Sequence, residues 1–116
     1  MPEPIVVDIY CQTEGRTLED QANMEKQGKL CEAYCQEHGL TVGMVNQDST
    51  SAWHYGNRFA LTRMRQRIQS GDIQSVVVTT VDRLSQNHEH LITFMAEMGQ
   101  HNVTLFTTEV KLENAE

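Results

Sequence analysis

Apolar positions along the chain fall into short β-branched runs that alternate with longer stripes of helical period. Residues 5–10 (IVVDIY) predict an opening strand. Residues 11–17 (CQTEGRT) predict a loop pivoting on Gly15. A helix is expected from Leu18 to His38, with Thr17 as its N-cap. Asp20 stands three positions on, where a capping box places an acid, and Gly39 supplies the stop. Residues 41–45 (TVGMV) predict a second strand. Residues 46–57 (NQDSTSAWHYGN) are polar and turn-rich, with aromatics among them, and are expected to form a functional loop. Residues 58–70 return to helical period, with Leu61, Met64 and Ile68 on one stripe, ended by Gly71-Asp72. Residues 73–80 (IQSVVVTT) hold a continuous Val run, the pattern of a strand buried on both faces. Residues 87–98 predict a last helix, with Leu91, Phe94, Met95 and Met98 inward and Gly99 as its cap, and residues 103–107 (VTLFT) a last strand.

Strand and helix thus alternate from end to end, which argues for an α/β domain with a mainly parallel sheet. In such sheets ligands bind beyond the carboxyl ends of the strands. The segments 11–17, 46–57 and 81–87 fall there. No internal repeat or low-complexity tract interrupts the order.

The length of 116 residues fits a single domain over 1–108, followed by a polar, acidic tail over 109–116. Hydrophobic residues make up 39%, too many for a disordered chain, and no apolar run approaches the ~20 residues that span a bilayer. No membrane partner is therefore expected. The first residues lack the basic and apolar regions of a signal peptide, so a cytoplasmic location is expected. Nine basic against 16 acidic residues give a net charge of −7, which argues against indiscriminate, tight nucleic-acid binding.

Cys11, Cys31 and Cys35 are an odd set and read as free thiols. Cys31, Cys35 and His38 share a helix face and form a conceivable soft-metal site. The plainer reading is a buried face shared with Met24 and Gly28. His88 and His90 are spaced for a metal too, but a solvated helix start accounts for them. No metal and no organic cofactor is expected. Gly-x-Gly-x-x-Gly, Walker A and Gly-x-Ser-x-Gly motifs are absent.

Five of the nine basic residues are Arg58, Arg63, Arg65, Arg67 and Arg83, and no acid lies between 58 and 67. Arg63 and Arg67, four apart, share a helix face. Arginine forks match phosphate oxygens, so Arg58, Arg63, Arg67 and Arg83 are candidates for a phosphate or DNA contact. An ordinary solvated face explains the same pattern.

Val81-Asp82-Arg83-Leu84-Ser85-Gln86-Asn87 follows the Val-rich strand and precedes a helix. Here the chain resembles the catalytic domain of the serine site-specific recombinases, the resolvase/invertase family, which carries Asp-Arg-Leu-x-Arg at this place. Tyr10 matches the Tyr of the family's Tyr-x-Arg-Val-Ser motif. Leu18 and Gln21 match the Leu and Gln that open the first helix, and Asp48 and Ser51 match an Asp-x-x-Ser. Arg58, three residues before Leu61, matches the Arg that starts the next helix. Arg67 stands where a Lys is common. The resemblance implies a resolvase-like three-layer domain, with a mainly parallel central sheet of about four to five strands flanked by helices. It also implies DNA as the ligand and self-association, since family members join DNA as dimers and tetramers. Their serine attacks the scissile phosphate while arginines neutralise the charge that develops.

The departures from the family pattern fall on that chemistry. Aligning Tyr10 puts Gln12 at the motif Arg, Thr13 at the Val and Glu14 at the nucleophilic Ser. Gln86 replaces the second Arg of Asp-Arg-Leu-x-Arg. The loop after the first strand is also about two residues shorter than the family's common pattern. A carboxylate about 4 Å from a phosphate charge costs on the order of 4 kcal/mol at an effective dielectric of about 20. The resemblance therefore implies a degenerate site at Tyr10, Gln12, Glu14, Gln21, Asp48, Ser51, Arg58, Arg67, Asp82, Arg83 and Gln86. No separate DNA-binding domain is expected within the chain.

Three functions follow. The first is a recombinase-like domain that no longer cuts DNA and regulates through weak DNA contact, through an active recombinase, or through a second copy of itself. The second is an active fragment with a displaced nucleophile at Thr13, Thr17 or Ser51. The third is a protein-interaction module that keeps the scaffold and uses Trp53 and Tyr55, residue types enriched at binding hot spots.

Overall fold

The computed structural model describes residues 5–49 and 59–108. Trp53, Tyr55, Ser51 and Arg58 lie outside the described residues. Four strands, β1 (Val6–Gln12), β2 (Thr41–Asp48), β3 (Ser75–Val78) and β4 (Thr104–Thr107), alternate with α1 (Leu18–Glu37), α2 (Phe59–Gln69) and α3 (His88–Gln100). The sheet has the order β2-β1-β3-β4, and every pairing is parallel.

Strand period two divides the core. Val7, Ile9, Cys11 and Val77 point to one face and pack with Met24, Cys31 and Cys35 of α1. Tyr10, Val76 and Val78 point to the other and pack with Leu61, Met64 and Ile68 of α2 and Phe94 and Met98 of α3. The Val run is continuous because β3 is central and covered on both sides, and Val76, Val77 and Val78 are all fully buried. Burying each such side chain contributes about 1.5–3 kcal/mol. The result is a helix–sheet–helix sandwich.

The starts of α1 and α3 are capped by side chains, at Thr17 as expected and at Asn87 one residue before the helix. Thr17 caps α1 with a complete capping box: its side chain accepts from the Asp20 amide, and the Asp20 carboxylate accepts from the Thr17 amide. Asn87 caps α3 by accepting from the amides of Glu89 and His90. Gly39, at φ +67°, turns the chain out of α1 toward β2.

Four expectations are corrected. The first strand runs on to Gln12, so Cys11 and Gln12 belong to the sheet rather than to a loop. The second strand runs on to Asp48, because Asn46 and Asp48 alternate inward as polar residues with buried partners and hide the period-two signal. Gly99 lies inside α3, and the turn out of that helix falls at Asn102, with φ +57°. Met95 is 47% exposed rather than inward, leaving Phe94 and Met98 as the buried anchors of α3.

Candidate functional site

The segments after β1 and β3, and Ser49 after β2, lie at the carboxyl edge of the sheet, where a parallel sheet places its ligands. The site is built on the last residues of β1 and β2, which pair as Tyr10 with Asn46 and Gln12 with Asp48.

Asp48 ends β2 and starts α2. Its Oδ1 accepts from the Ala60 amide at 2.9 Å, and its Oδ2 accepts from the Leu61 amide at 2.9 Å and from the Tyr10 hydroxyl at 2.7 Å. A carboxylate at a helix N-terminus satisfies amides that have no partner within the helix. Tyr10 and Asp48 therefore fix the junction of strand and helix, and both are buried.

Gln12, which the sequence comparison expects at the motif arginine, is 1% exposed. Its backbone is clasped by Gln27 of α1, whose Oε1 accepts from the Gln12 amide at 2.9 Å and whose Nε2 donates to the Gln12 carbonyl at 2.8 Å. The Gln12 side chain reaches forward and donates from Nε2 to Glu14 Oε2 at 2.9 Å. Gln12 and Glu14 are thus joined side chain to side chain.

Arg83 comes from the 3₁₀ turn Val81–Arg83 that follows β3. Its Nη1 donates to the Gln12 carbonyl at 3.0 Å and its Nη2 to Asn23 Oδ1 at 3.3 Å. Beyond Ile9, β1 has no ladder partner on its β3 side. Arg83 and Gln27 together satisfy that edge. Arg83 lines a cleft of about 390 Å³ with Thr13, Glu14, Thr17, Glu19, Asp20 and Asn23. Three carboxylates face one guanidinium there.

The remaining site residues are placed as follows. Thr13 is 3% exposed and its hydroxyl donates to the Gly15 carbonyl at 2.9 Å. The Thr17 hydroxyl serves the α1 cap. Gln21 donates to the Arg16 carbonyl at 3.2 Å and so braces the loop. Asp82 and Gln86 are exposed. Ser85 is buried, and its hydroxyl accepts from the Asn87 amide at 2.9 Å.

The arginines of α2 are mostly spoken for. Arg67 pairs with Asp8, Nε to Oδ2 at 2.7 Å, and this hydrogen bond raises the Arg67 pKa further while partial burial opposes it. Arg65 chelates Glu97 of α3 at 3.0 and 2.6 Å. Arg63 donates to Asn46 Oδ1 at 2.9 and 3.3 Å, and Asn46 in turn donates to Asp8. Arg63 and Arg67 therefore share a face and meet on one polar network.

Gln27, Asn23, Asp8, Asn46 and Arg16 are positioned here without having been singled out in the sequence. Gln27 and Asn23 sit four apart on α1 and their side chains are hydrogen-bonded at 2.7 Å. The signal was a polar residue on the buried stripe of α1, between Met24 and Cys31. Asp8 gave a similar signal as an acid inside a β-branched run.

The three thiols are buried in the core under α1, with Cys11 directly before Gln12 on β1. Burial pushes the Cys11 and Cys31 pKa values up to about 12. His38 stacks on Tyr34, with ring centroids 4.0 Å apart.

The structure is similar to several solved serine recombinase domains. Over 96% of this chain and 75% of the other, it matches the C-terminal catalytic domain of ISC1926 TnpA, an IS607-like serine recombinase, with a TM-score of 0.82 and 17% identity. Over 89% and 77% it matches the N-terminal catalytic domain of TP901-1 integrase, with a TM-score of 0.80 and 19% identity. A resolvase family site-specific recombinase from Streptococcus pneumoniae matches over 96% and 81%, with a TM-score of 0.78 and 18% identity. Comparison with curated protein sequences gave no match. The family model described as the resolvase N-terminal domain matches residues 15–116, beginning immediately after Glu14. The chain belongs to the resolvase N-terminal domain family, as a serine-recombinase-like domain related to DNA recombination.

Proposed function

We propose that this domain does not cut DNA and acts as a regulatory protein that contacts DNA, an active recombinase, or both. The observation that carries the reading is the hydrogen bond between Gln12 and Glu14. The position matched to the nucleophile holds a carboxylate, and the position matched to a phosphate-binding arginine holds the amide that stabilises that carboxylate. Serine transfer chemistry needs a hydroxyl at the phosphorus and cations around it, because only interactions stronger in the transition state accelerate the step. The cleft at Arg83 instead carries Glu14, Glu19 and Asp20. That surrounding opposes a phosphodiester.

A displaced nucleophile is the weaker reading. The Thr13 hydroxyl is buried and bound to a carbonyl, and the Thr17 hydroxyl is held by Asp20. The interaction-module reading, through Trp53 and Tyr55, concerns residues outside those described.

The test is to add the purified domain to an active serine recombinase working on its own sites. A dose-dependent change in the rate of recombination, with no product from the domain alone, is expected. An unchanged rate at a large molar excess would contradict the regulatory role.

A further inference from the structure

Arg65 and Arg67 are each ion-paired, with Glu97 and Asp8. Arg63 instead rests on the neutral Asn46 side-chain carbonyl, and Arg16 is exposed. Both line one cleft of about 540 Å³, with Gln47, Asp48, Ser49, Phe59 and Ala60. Asp48 is the acid in that lining. Asp48 is 7% exposed, and its carboxylate already accepts from two helix amides and the Tyr10 hydroxyl. Its charge is thereby compensated, and the two arginines dominate the open part of the cleft. On the other side of the β1–α1 loop, the Arg83 cleft is lined by Glu14, Glu19 and Asp20.

We infer that the cleft between Arg16 and Arg63 is a nucleic-acid phosphodiester subsite, and that DNA contact occurs there rather than at the Glu14–Arg83 cleft. Neither arginine occupies a position matched to the family's motifs. Arginine guanidinium groups match phosphate oxygens in geometry and charge. Phe59, 85% exposed on the rim, adds the aromatic surface on which a base stacks. A free inorganic anion would have no use for that ring. The amides of Ala60 and Leu61 are taken by Asp48, so the attraction comes from side chains and not from the helix terminus. The inference rests on the DNA-contacting branch of the proposed function and gives that branch an address.

The test is fluorescence anisotropy of a labelled 20-base DNA, single-stranded and duplex, against the whole chain at two salt concentrations. Arg16→Gln and Arg63→Gln are each expected to weaken binding about tenfold and to lower the salt slope by about one phosphate equivalent. Arg16→Gln removes no side-chain hydrogen bond or ion pair among the described residues, so it remains informative if Arg63→Gln destabilises the Asn46 network. Phe59→Ala is expected to weaken single strand more than duplex. Parent binding that survives both arginine changes, or is lost only in Arg83→Gln, overturns the subsite. So does absence of DNA binding at low salt. A rise in melting temperature with inorganic phosphate but no DNA binding also overturns it, as a free-anion pocket. None of these results bears on DNA cleavage or on an active recombinase partner, so failure of the subsite is distinguishable from failure of the regulatory reading.

Discussion

Arg67 grips Asp8 with two hydrogen bonds, Nε to Oδ2 at 2.7 Å and Nη2 to Oδ1 at 3.1 Å, beside a β-bulge in the edge strand. Val7 pairs with Val42 but Ile9 with Val45, so β2 carries one extra residue. The bulge turns the Met44 amide onto Asp8 Oδ1 at 2.9 Å. Asp8 thus has a fully buried carboxylate saturated by an amide, Asn46 and a guanidinium. Arg67 serves the fold here, although the sequence also allowed it a phosphate.

Removing Arg67 leaves a buried carboxylate without its counter-charge. Arg67→Ala is expected to lower stability by about 3–5 kcal/mol in urea unfolding. The double change Asp8→Val with Arg67→Met should recover much of that loss. An Arg67→Ala variant with parental stability and weakened DNA binding would show the opposite assignment.

Gly43 lies in the bulge, and a Cβ there would stand 3.0 Å from Arg67 Nη2, Asp8 Oδ1 and Val6 Cγ1. Two of those atoms belong to the ion pair, so making room means shifting it by a few tenths of an ångström. Gly43→Ala should therefore cost about 1–3 kcal/mol by overpacking. The same denaturant titration reads it, and an unchanged midpoint would mean the pair is looser than its geometry.

Tyr10→Phe removes one donor from the buried Asp48 carboxylate. Hydrogen bonds to charged groups are worth about 1.5–3 kcal/mol, and a loss in that range is expected. Hydrogen exchange at the Ala60 and Leu61 amides localises the effect to the start of α2. Uniform acceleration across the sheet would argue against that localisation.

The thiols predict a pH dependence. Folded Cys11 and Cys31 hold their protons up to about 12, while an unfolded thiol ionises near roughly 8.5. Between those values the folded chain binds more protons, so stability is complete below about pH 8.5 and falls as pH rises. The slope approaches about 1.4 kcal/mol per pH unit per thiol. Cys31→Ala should flatten it. A native protein that reacts rapidly with a thiol reagent at pH 8 would contradict the burial.

The alternation of elements was legible because the Val run of β3, the cap at Thr17 and the α2 stripe are local signals. The ends of β1 and β2 were not. Gln12, Asn46 and Asp48 are polar residues on strands, and their inward direction is satisfied by partners distant in sequence: Gln27, Asp8 and the α2 amides. The helix stop at Asn102 was hidden by Gly99, whose composition mimics a cap. At the candidate site, the sequence pointed to Gln12 and Glu14 as departures from the motif, but not to the hydrogen bond between them. Arg16 was missed because a single arginine in a loop carries no pattern. Its relation to Arg63 exists only once β1, β2 and α2 are assembled.

The most direct measurement is a denaturing gel of end-labelled, nicked DNA after incubation with the purified domain. A serine-type attack leaves protein covalently joined to a DNA end, and a nick traps that species. On the proposed reading, in which Glu14 stands in place of the nucleophile, no protein–DNA adduct is expected, at low salt or high, under conditions in which an active family member gives one. A protein–DNA adduct that disappears in Thr13→Ala, Thr17→Ala or Ser51→Ala would contradict the assignment and identify a displaced nucleophile.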